Sequence, residues 1–380
     1  MTELDDLGQK YSVQPGIRVK YFIIGDADEE KRFETTKKEV ISSTIKRIQG
    51  ENSLRNIIEQ LKNVSPILVT GSSGYLGSAI AQTLKVHGIQ YVGIDLVGAS
   101  TTDFIGCVSD IEFVRKASSK GCKSIIHTAA LHAPNLDFYS NTDYHKVNVE
   151  GTRNILSIAS EFQMEAIVFS STTSLMITEE VKKQEKEGTA GPVILNHSVD
   201  YGTPRNIYGV TKKAAEKLCI EDKENNIAIL RCSRFFVEDV YDTGAKASTR
   251  IVQKTNGNIK ANEMLCGTRA TLEDMIISHL VALDRLSKNK TNLKRNTIIG
   301  PLIISSISPL LTKSLENFIA PYSNFYESLG WSLPDHISRI YDSTNSWKAL
   351  NYTPKWDFIR LFNDFNHDPI SKVVIKDGHY

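Results

Sequence analysis

The chain has almost no excess charge of either sign. Lysine plus arginine number 45 and aspartate plus glutamate 44, a net of +1 over 380 residues. A protein whose main task is to hold nucleic acid non-specifically presents a broad basic field, and none is present here. A long hydrophobic run is also missing. The most apolar segment, residues 297–311, is shorter than the ~20 residues of a membrane span and is interrupted by three serines and two prolines. Residues 1–10 are acidic and polar, so no secretory signal is expected. Cysteine is sparse. Cys107, Cys122, Cys219, Cys232 and Cys266 are odd in number and irregular in spacing, and none forms Cys-x-x-Cys. That argues against a disulfide framework and for buried or free thiols in a reducing cytosol, hence a cytoplasmic location. His145, His279 and His367 lack ligand spacing, and no metal site is expected. No internal repeat is found. What remains is a globular composition, 41% apolar with 23 glycines, which rules out wholesale disorder. The length allows one large domain or two to three smaller ones.

The first 65 residues differ in texture from the rest. Residues 26–32 form a charged cluster, and 19–24 could make a short strand. Ile41, Ile45, Ile48, Leu54, Ile57, Ile58 and Leu61 recur at roughly helical spacing, with Gly50 as a break. No chemical motif lies here. The segment reads as an N-terminal extension that packs on the main body, with a dimerising or regulatory role as one option. From Pro66 the pattern changes. Strand candidates at 67–70, 90–94, 124–127, 166–170 and 227–230 alternate with helical patterns at 78–87, 147–162 and 209–223. Such alternation predicts an α/β fold, a doubly wound parallel sheet covered on both faces. The charge run 182–188 reads as a solvated loop, and Trp331, Trp347 and Trp356 as packing residues.

Val69-Thr70-Gly71-Ser72-Ser73-Gly74-Tyr75-Leu76-Gly77 follows a strand and opens a helix. Gly71 permits the tight turn, Gly74 lets the backbone approach a pyrophosphate, and Gly77 lets helix and strand pack closely. The N–H groups and dipole of the helix start, at Tyr75 and Leu76, then hold phosphate. Asp95 closes the next strand, where a carboxylate accepts bonds from ribose hydroxyls and repels a 2′-phosphate. With no Lys or Arg directly after it, NAD is expected over NADP. The alternative is that Asp95 merely caps the strand end.

Tyr208-Gly209-Val210-Thr211-Lys212 gives Tyr-x-x-x-Lys, which puts both side chains on one helix face. An ammonium beside a phenol favours the phenolate, lowering its pKa and suiting the tyrosine to acid/base work. With the glycine loop and a hydroxyl-rich strand end at 170–174, these residues resemble an extended short-chain dehydrogenase/reductase. The family is the NAD-dependent epimerase/dehydratases that include UDP-glucose 4-epimerase. The resemblance runs from about residue 66 to about 362 and rests on further segments. Ser109-Asp110-Ile111 resembles the segment whose Asp contacts adenine. His127-Thr128-Ala129-Ala130 resembles the strand end that runs along the cofactor. Val147-Asn148-Val149-Glu150-Gly151-Thr152 resembles the helix whose Asn supports the active site, and Phe169-Ser170-Ser171-Thr172 the strand end that carries the catalytic hydroxyl. Arg339-Ile340-Tyr341-Asp342-Ser343 and Leu350-Asn351-Tyr352-Thr353-Pro354 resemble the closing R-x-Y-D…L-G-[WY]-x-P element.

The resemblance implies a catalytic set of Thr172, Tyr208 and Lys212. Thr172 would hydrogen-bond the substrate oxygen, with Ser171 and Thr173 as alternatives. These hydroxyls could instead satisfy backbone groups. Tyr208 would move the proton, and Lys212 would hold the nicotinamide ribose. Implied NAD contacts are Gly71, Gly74, Tyr75, Leu76, Gly77, Asp95, Asp110, Ile111, Ala129, Ala130, Asn148, Ser170, Tyr208 and Lys212. His132 would contact ribose or be a plain surface histidine. Nucleotide-sugar relatives carry R-D-Y-[IV]-H-V-x-D, whose Arg grips pyrophosphate, but here Gly267 takes that place and Arg269 is the nearest arginine. Arg234 stands where many relatives have Asn; it would contact substrate, or pair with Glu238 or Asp239.

The expected division is an extension at 1–65, an NAD-binding Rossmann domain at 66–234, and at 235–380 mostly a substrate lobe with some strands returning to the main sheet. The expected function is NAD-dependent oxidation of a hydroxyl or reduction of a keto carbon, as in an epimerase, dehydratase or dehydrogenase, on a small molecule such as a sugar nucleotide. Alternatives are a dehydrogenase of non-sugar alcohols and a non-catalytic dinucleotide sensor. A homodimer through two helices packed as a four-helix bundle is implied by the resemblance alone.

Overall fold

The computed structural model describes residues 27–358 apart from 134–135, 137, 188–190, 236–256, 289–295, 329–331, 333–335 and 356. The strand expected at 19–24, together with Trp331, Trp356, His367, Glu238 and Asp239, therefore lies outside the described residues.

The chain opens with helix α1 (Ala27–Gln49) and helix α2 (Arg55–Leu61), and then enters strand β1 (Ile67–Thr70). There follow α3 (Tyr75–Val86), β2 (Tyr91–Asp95), β3 (Phe104–Ile105), α4 (Ile111–Ser118), β4 (Ser124–His127), α5 (Gly151–Glu161) and β5 (Ala166–Thr172). Next come α6 (Glu179–Glu187), β6 (Val193–Leu195), α7 (Ile207–Glu221), β7 (Ile227–Cys232) and β8 (Arg234–Phe235). The last part holds α8 (Gly257–Leu265), β9 (Arg269–Ala270), α9 (Leu272–Lys288), β10 (Ile298–Ile304), β11 (Arg339–Tyr341) and α10 (Thr344–Leu350).

Seven strands form one parallel sheet in the order β10-β7-β5-β4-β1-β2-β3. The chain leaves β1 toward β2 on one side and later returns to β4 on the other. The carboxyl ends of β1 and β4 thus flank a crevice, the place where open α/β sheets bind ligands. The central strands β1, β4, β5 and β7 are buried on both faces, as parallel sheets require, and the alternation of side chains sorts two cores. Ile67, Val69, Ile126, Val168, Ala228 and Leu230 point to the side covered by α1, α2, α3 and α9. Leu68, Ile125, Ile167, Phe169, Ile227 and Ile229 point to the side covered by α4, α5 and α7.

The N-terminal helices belong to the first core. Val40, Ile41, Ile45 and Ile48 of α1 and Ile58 and Leu61 of α2 are buried with Ile80, Leu84, Ile276 and Leu280. At about 1.5–3 kcal/mol per buried aliphatic side chain, this docking is firm. Arg47 seals it with an ion pair to the buried Glu273 at 3.0 Å. From the far end of the chain, β10 adds the edge strand and α9 covers the sheet beside it, so residues beyond 234 share the first core.

Two expectations change. The charge run after 182 is helical, not a loop: α6 carries it, with Lys182–Glu185 and Lys183–Glu187 pairs at helical spacing. The helix expected over 147–162 begins with a wider turn, His145–Glu150, in which Gly151 N–H reaches back five residues to Lys146 O. In the closing element, Asn351 replaces the family glycine and takes the left-handed conformation (φ 49°) that ends α10. Among the described residues, no helix is long and apolar enough to cross a membrane.

Candidate active site

The glycine loop joins β1 to α3 under tight steric limits. Gly71 has φ +71°, and a Cβ there would lie 2.8 Å from Thr128 Oγ1 and 2.9 Å from Ala129 N. A Cβ on Gly77 would overlap the carbonyl oxygen of Gly71. Gly74 precedes α3 in extended conformation, and no side chain caps that helix. Its opening N–H groups, those of Tyr75 and Leu76 among them, lie at the positive end of the dipole, where an anion is favoured. Residues 127–130 lie alongside. Thr128 Oγ1 donates to Thr70 O at 2.7 Å, and Ala129 N–H to Thr70 Oγ1 at 3.1 Å.

Asp95 ends β2 next to this loop. One carboxylate oxygen accepts Ser73 N–H at 2.9 Å, the other Val97 N–H at 3.1 Å. Burial raises its pKa, against the pull of those backbone bonds. Asp95 thus organises the strand end, with the N–H groups of Leu96 and Gly74 also directed at its carboxylate. Asp110 caps α4 by accepting Glu112 and Phe113 N–H groups, and Ile111 follows it. The loop after β2 folds back on the glycine loop, where Thr102 Oγ1 bonds the hydroxyls of Ser72 and Ser73, each at 2.8 Å. A wall of close backbone, an uncapped helix start and a carboxylate at the next strand end fit a dinucleotide.

The second half of the site gathers on β5, α7 and the strand beside them. Thr172 is the last residue of β5, and its side chain hydrogen-bonds Tyr208 on the first turn of α7. Thr172 Oγ1 also accepts Ser174 N–H at 3.1 Å, which fixes its rotamer. Among the alternatives, Ser171 Oγ turns away and donates to Glu216 at 2.6 Å. Ser170 Oγ bonds His279 Nε2 at 2.7 Å. Lys212 follows Tyr208 by one helical turn, with its Nζ 4.0 Å from the centre of the Phe169 ring.

The acid–base balance departs from expectation. Burial pushes the Tyr208 phenol up to about 12, against the bond from Thr172. Burial also pulls Lys212 down to about 8. Lys212 is expected to lower the tyrosine pKa; in this arrangement desolvation sets it instead, because both side chains lie inside protein.

Asn148 ties the parts together from the wide turn before α5. It accepts Leu131 N–H at 2.8 Å and donates to Leu131 O and to Thr211 Oγ1, both at 3.1 Å. His132 follows Leu131, and its ring centre lies 5.6 Å from that of Tyr208. His132 thus stands beside the tyrosine while remaining exposed to solvent.

Two features were missed by the sequence reading. Glu216, one turn beyond Lys212, accepts a bidentate pair of bonds from Arg231 at 2.6–3.2 Å in a buried position. Cys232 lies directly across from Thr172 in the sheet register. The i,i+4 spacing of Lys212 and Glu216 was a usable signal for the first; nothing local marked the second.

Beyond the strand ends lies a cluster of arginines. The short parallel ladder β8–β9 sets Arg234 opposite Arg269. Both pair with Glu263 of α8, Arg234 at 3.2 Å. Burial and the neighbouring Arg234 charge push Arg269 down to about 9. Arg339 of β11 pairs with Glu185 at 2.8 Å. Gly267 sits where nucleotide-sugar relatives have the gripping arginine, and the backbone explains it. Its φ is +62°, and a Cβ would lie 2.9 Å from Ser306 O and 3.0 Å from Tyr341 O. Among the described residues, no group of His, Cys, Asp and Glu could hold a metal.

Comparison with known proteins identifies the family. A family model described as the NAD dependent epimerase/dehydratase family matches residues 67–277. A "3 beta-hydroxysteroid dehydrogenase/Delta 5-->4-isomerase" of Vaccinia virus (strain Western Reserve) is 24% identical over 345 residues, covering 81% of this chain and 95% of its own length. A short-chain dehydrogenase/reductase superfamily protein from Agrobacterium tumefaciens, solved with bound NAD, superposes with a TM-score of 0.55 at 19% identity, over 82% of this chain and 99% of that one. UDP-glucose 4-epimerase from Thermotoga maritima superposes at 0.51 with 16% identity, over 79% and 99%. These structural likenesses bear on the fold.

Proposed function

The chain belongs to the NAD-dependent epimerase/dehydratase family, and from that premise we propose that Thr172, Tyr208 and Lys212 carry its reaction. It is an NAD-dependent oxidoreductase of the extended short-chain dehydrogenase/reductase type acting on a hydroxyl or keto carbon. The observation that carries the residue assignment is the contact of Thr172 with Tyr208 at the mouth of the crevice, with Lys212 one turn behind.

In this reading Thr172 Oγ orients the substrate oxygen, and the Tyr208 phenol moves the proton on that oxygen. Lys212 supplies the adjacent positive charge and a donor to the nicotinamide ribose. When bound, NAD accepts or returns the hydride. Gly71, Gly74, Tyr75, Leu76 and Gly77 hold the pyrophosphate, and Asp95 the adenosine ribose. Asp110, Ile111, Ala129, Ala130, His132, Asn148 and Ser170 complete the cofactor wall. The Arg231–Glu216–Ser171 chain holds the catalytic strand against α7 from behind.

For the substrate we favour a secondary alcohol or ketone that also carries an anionic group, such as a sugar nucleotide. Three guanidiniums, Arg234, Arg269 and Arg339, gather beside the carboxylates of Glu263 and Glu185. A bound anion would relieve the crowding of Arg269 by Arg234. A neutral hydroxysteroid is the second reading, favoured by the viral relative that this chain matches over 95% of its length. Residues 66–234 would then form the dinucleotide half, 235–380 most of the substrate lobe, and 1–65 the extension. A homodimer would use the outer face of α7, where Val210 and Ile220 are exposed; light scattering tests it.

The first test is mass spectrometry of small molecules released on denaturing the purified full-length protein. Near-stoichiometric NAD or NADH supports chemistry that keeps the cofactor through turnover, as epimerisation does. Empty protein supports a dehydrogenase that exchanges it. Assay of NADH formation with UDP-sugars and 3β-hydroxysteroids then separates the substrate readings, and finding NADP would overturn the role given to Asp95.

A further inference from the structure

The N-terminal extension lies before the family match, which begins at residue 67. It nevertheless reaches the dinucleotide loop. Lys37 of α1 donates from Nζ to Ser73 O at 3.1 Å. Ser73 is the residue before Gly74, which stands at the head of α3. The placement follows from helix geometry. Lys37 precedes Val40 and Ile41 by three and four residues, so all three share one face. Val40 and Ile41 are buried in the core that also holds Ile80 and Leu84 of α3. The contact that docks α1 on α3 therefore carries Lys37 to the positive end of α3.

Ser73 is held from three sides. Lys37 takes its carbonyl, Asp95 its N–H at 2.9 Å, and Thr102 its hydroxyl at 2.8 Å. Two of these partners come from β2 and the loop after it, inside the family match. The third comes from the extension and is the one that brings a positive charge.

We propose that Lys37 is a cofactor-affinity residue supplied by the N-terminal helix. Its ammonium adds to the positive field of the α3 N-terminus and favours the anionic dinucleotide, while its bond to Ser73 O keeps the loop shaped for it. The inference rests on the reading of this loop as the NAD site. At a solvent-touched site, one unit charge beside an anionic ligand corresponds to about a five- to tenfold change in affinity. Unlike packing, that contribution is screened by salt.

The test is titration of full-length protein with NADH, followed by fluorescence at low and at high salt. K37M and K37Q, which leave Val40 and Ile41 in place, are expected to weaken NADH binding about five- to tenfold at low salt. The gap should narrow at high salt, and K37R should stay within about twofold of wild type. Equal NADH affinity in wild type and both neutral variants overturns the inference. So does a loss that is the same at both salt concentrations, which marks a purely structural brace. A wild-type chain that binds no NADH overturns the reading of the site itself, and the inference falls with it.

Discussion

The two sides of the crevice are built by different means. On the dinucleotide side, close approaches to backbone do the work: Gly71 against Ala129, and Gly77 against Gly71. The groups meant for the ligand are N–H groups at a helix start. On the arginine side, side chains from β8, α8, β9, β11 and α6 meet through ion pairs, and Gly267 is present only because Ser306 and Tyr341 carbonyls crowd it. The first kind of site tolerates almost no added atom. The second is held by charges that can be traded.

The contrast is broken most severely at the junction of the two sides. Tyr208→Phe removes the proton carrier and keeps the ring, so turnover is expected to fall by about 10²–10⁴. NADH affinity should stay within about twofold if the phenol acts in the reaction and not in cofactor binding. Turnover close to wild type would remove Tyr208 from the mechanism. Next in size is Glu216→Ala, which strands Arg231 in a buried position. Leaving one member of a buried pair costs about 3–5 kcal/mol, and thermal unfolding should report it as a large fall in Tm.

On the dinucleotide side, Gly77→Ala forces the Gly71 carbonyl to move. Overpacking of this kind costs about 1–3 kcal/mol, and NADH affinity should drop about 10- to 100-fold while the sheet remains folded. Titration of the phenol sharpens the same comparison. Desolvation penalises the charged form, so the Tyr208 pKa moves up, to about 12 in the ligand-free protein. Its neutral form therefore persists through pH 8–10, and the difference in phenolate absorbance between wild type and Tyr208→Phe should be flat over that range. With NAD⁺ bound, the added positive charge of the nicotinamide should move that titration down. A phenolate signal from Tyr208 at pH 8 without cofactor would contradict the desolvation argument.

How much of this was legible beforehand follows from the same distinction. Strands β1, β2, β4, β5 and β7 stood out because both their faces are buried and their apolar runs end at glycine or polar residues. The glycine loop and the Tyr208/Lys212 pair were legible because their chemistry lies in local spacing. The arginine cluster was not, because Arg234, the Glu263–Arg269 pair and Arg339 are far apart in the chain and are brought together by ion pairs and short ladders such as β8–β9. Lys37 left no trace at all, since one lysine on an amphipathic helix looks like any other. The rise in the Tyr208 pKa escaped notice for a related reason: helical spacing places Lys212 nearby but says nothing about how far water is excluded from both.

Arg234 offers the smallest structural effect and the most informative one for substrate. Its side chain is more than half exposed, and its pair with Glu263 spans 3.2 Å. Exposed pairs contribute about 0–1 kcal/mol, so Arg234→Ala should shift Tm by no more than a few degrees. NADH affinity should change little, because the Arg234 side chain pairs with Glu263 and not with the dinucleotide loop. If the substrate carries a phosphate or carboxylate that Arg234 meets, KM for that substrate should rise about tenfold or more, the loss expected for one charge-assisted contact of about 1.5–3 kcal/mol. Arg234→Lys should recover only part of it, since an ammonium cannot reproduce two parallel bonds. A KM that stays level in both variants, with an active UDP-sugar or steroid in hand, would mean the arginines serve the lobe's own packing, and the neutral-substrate reading would gain.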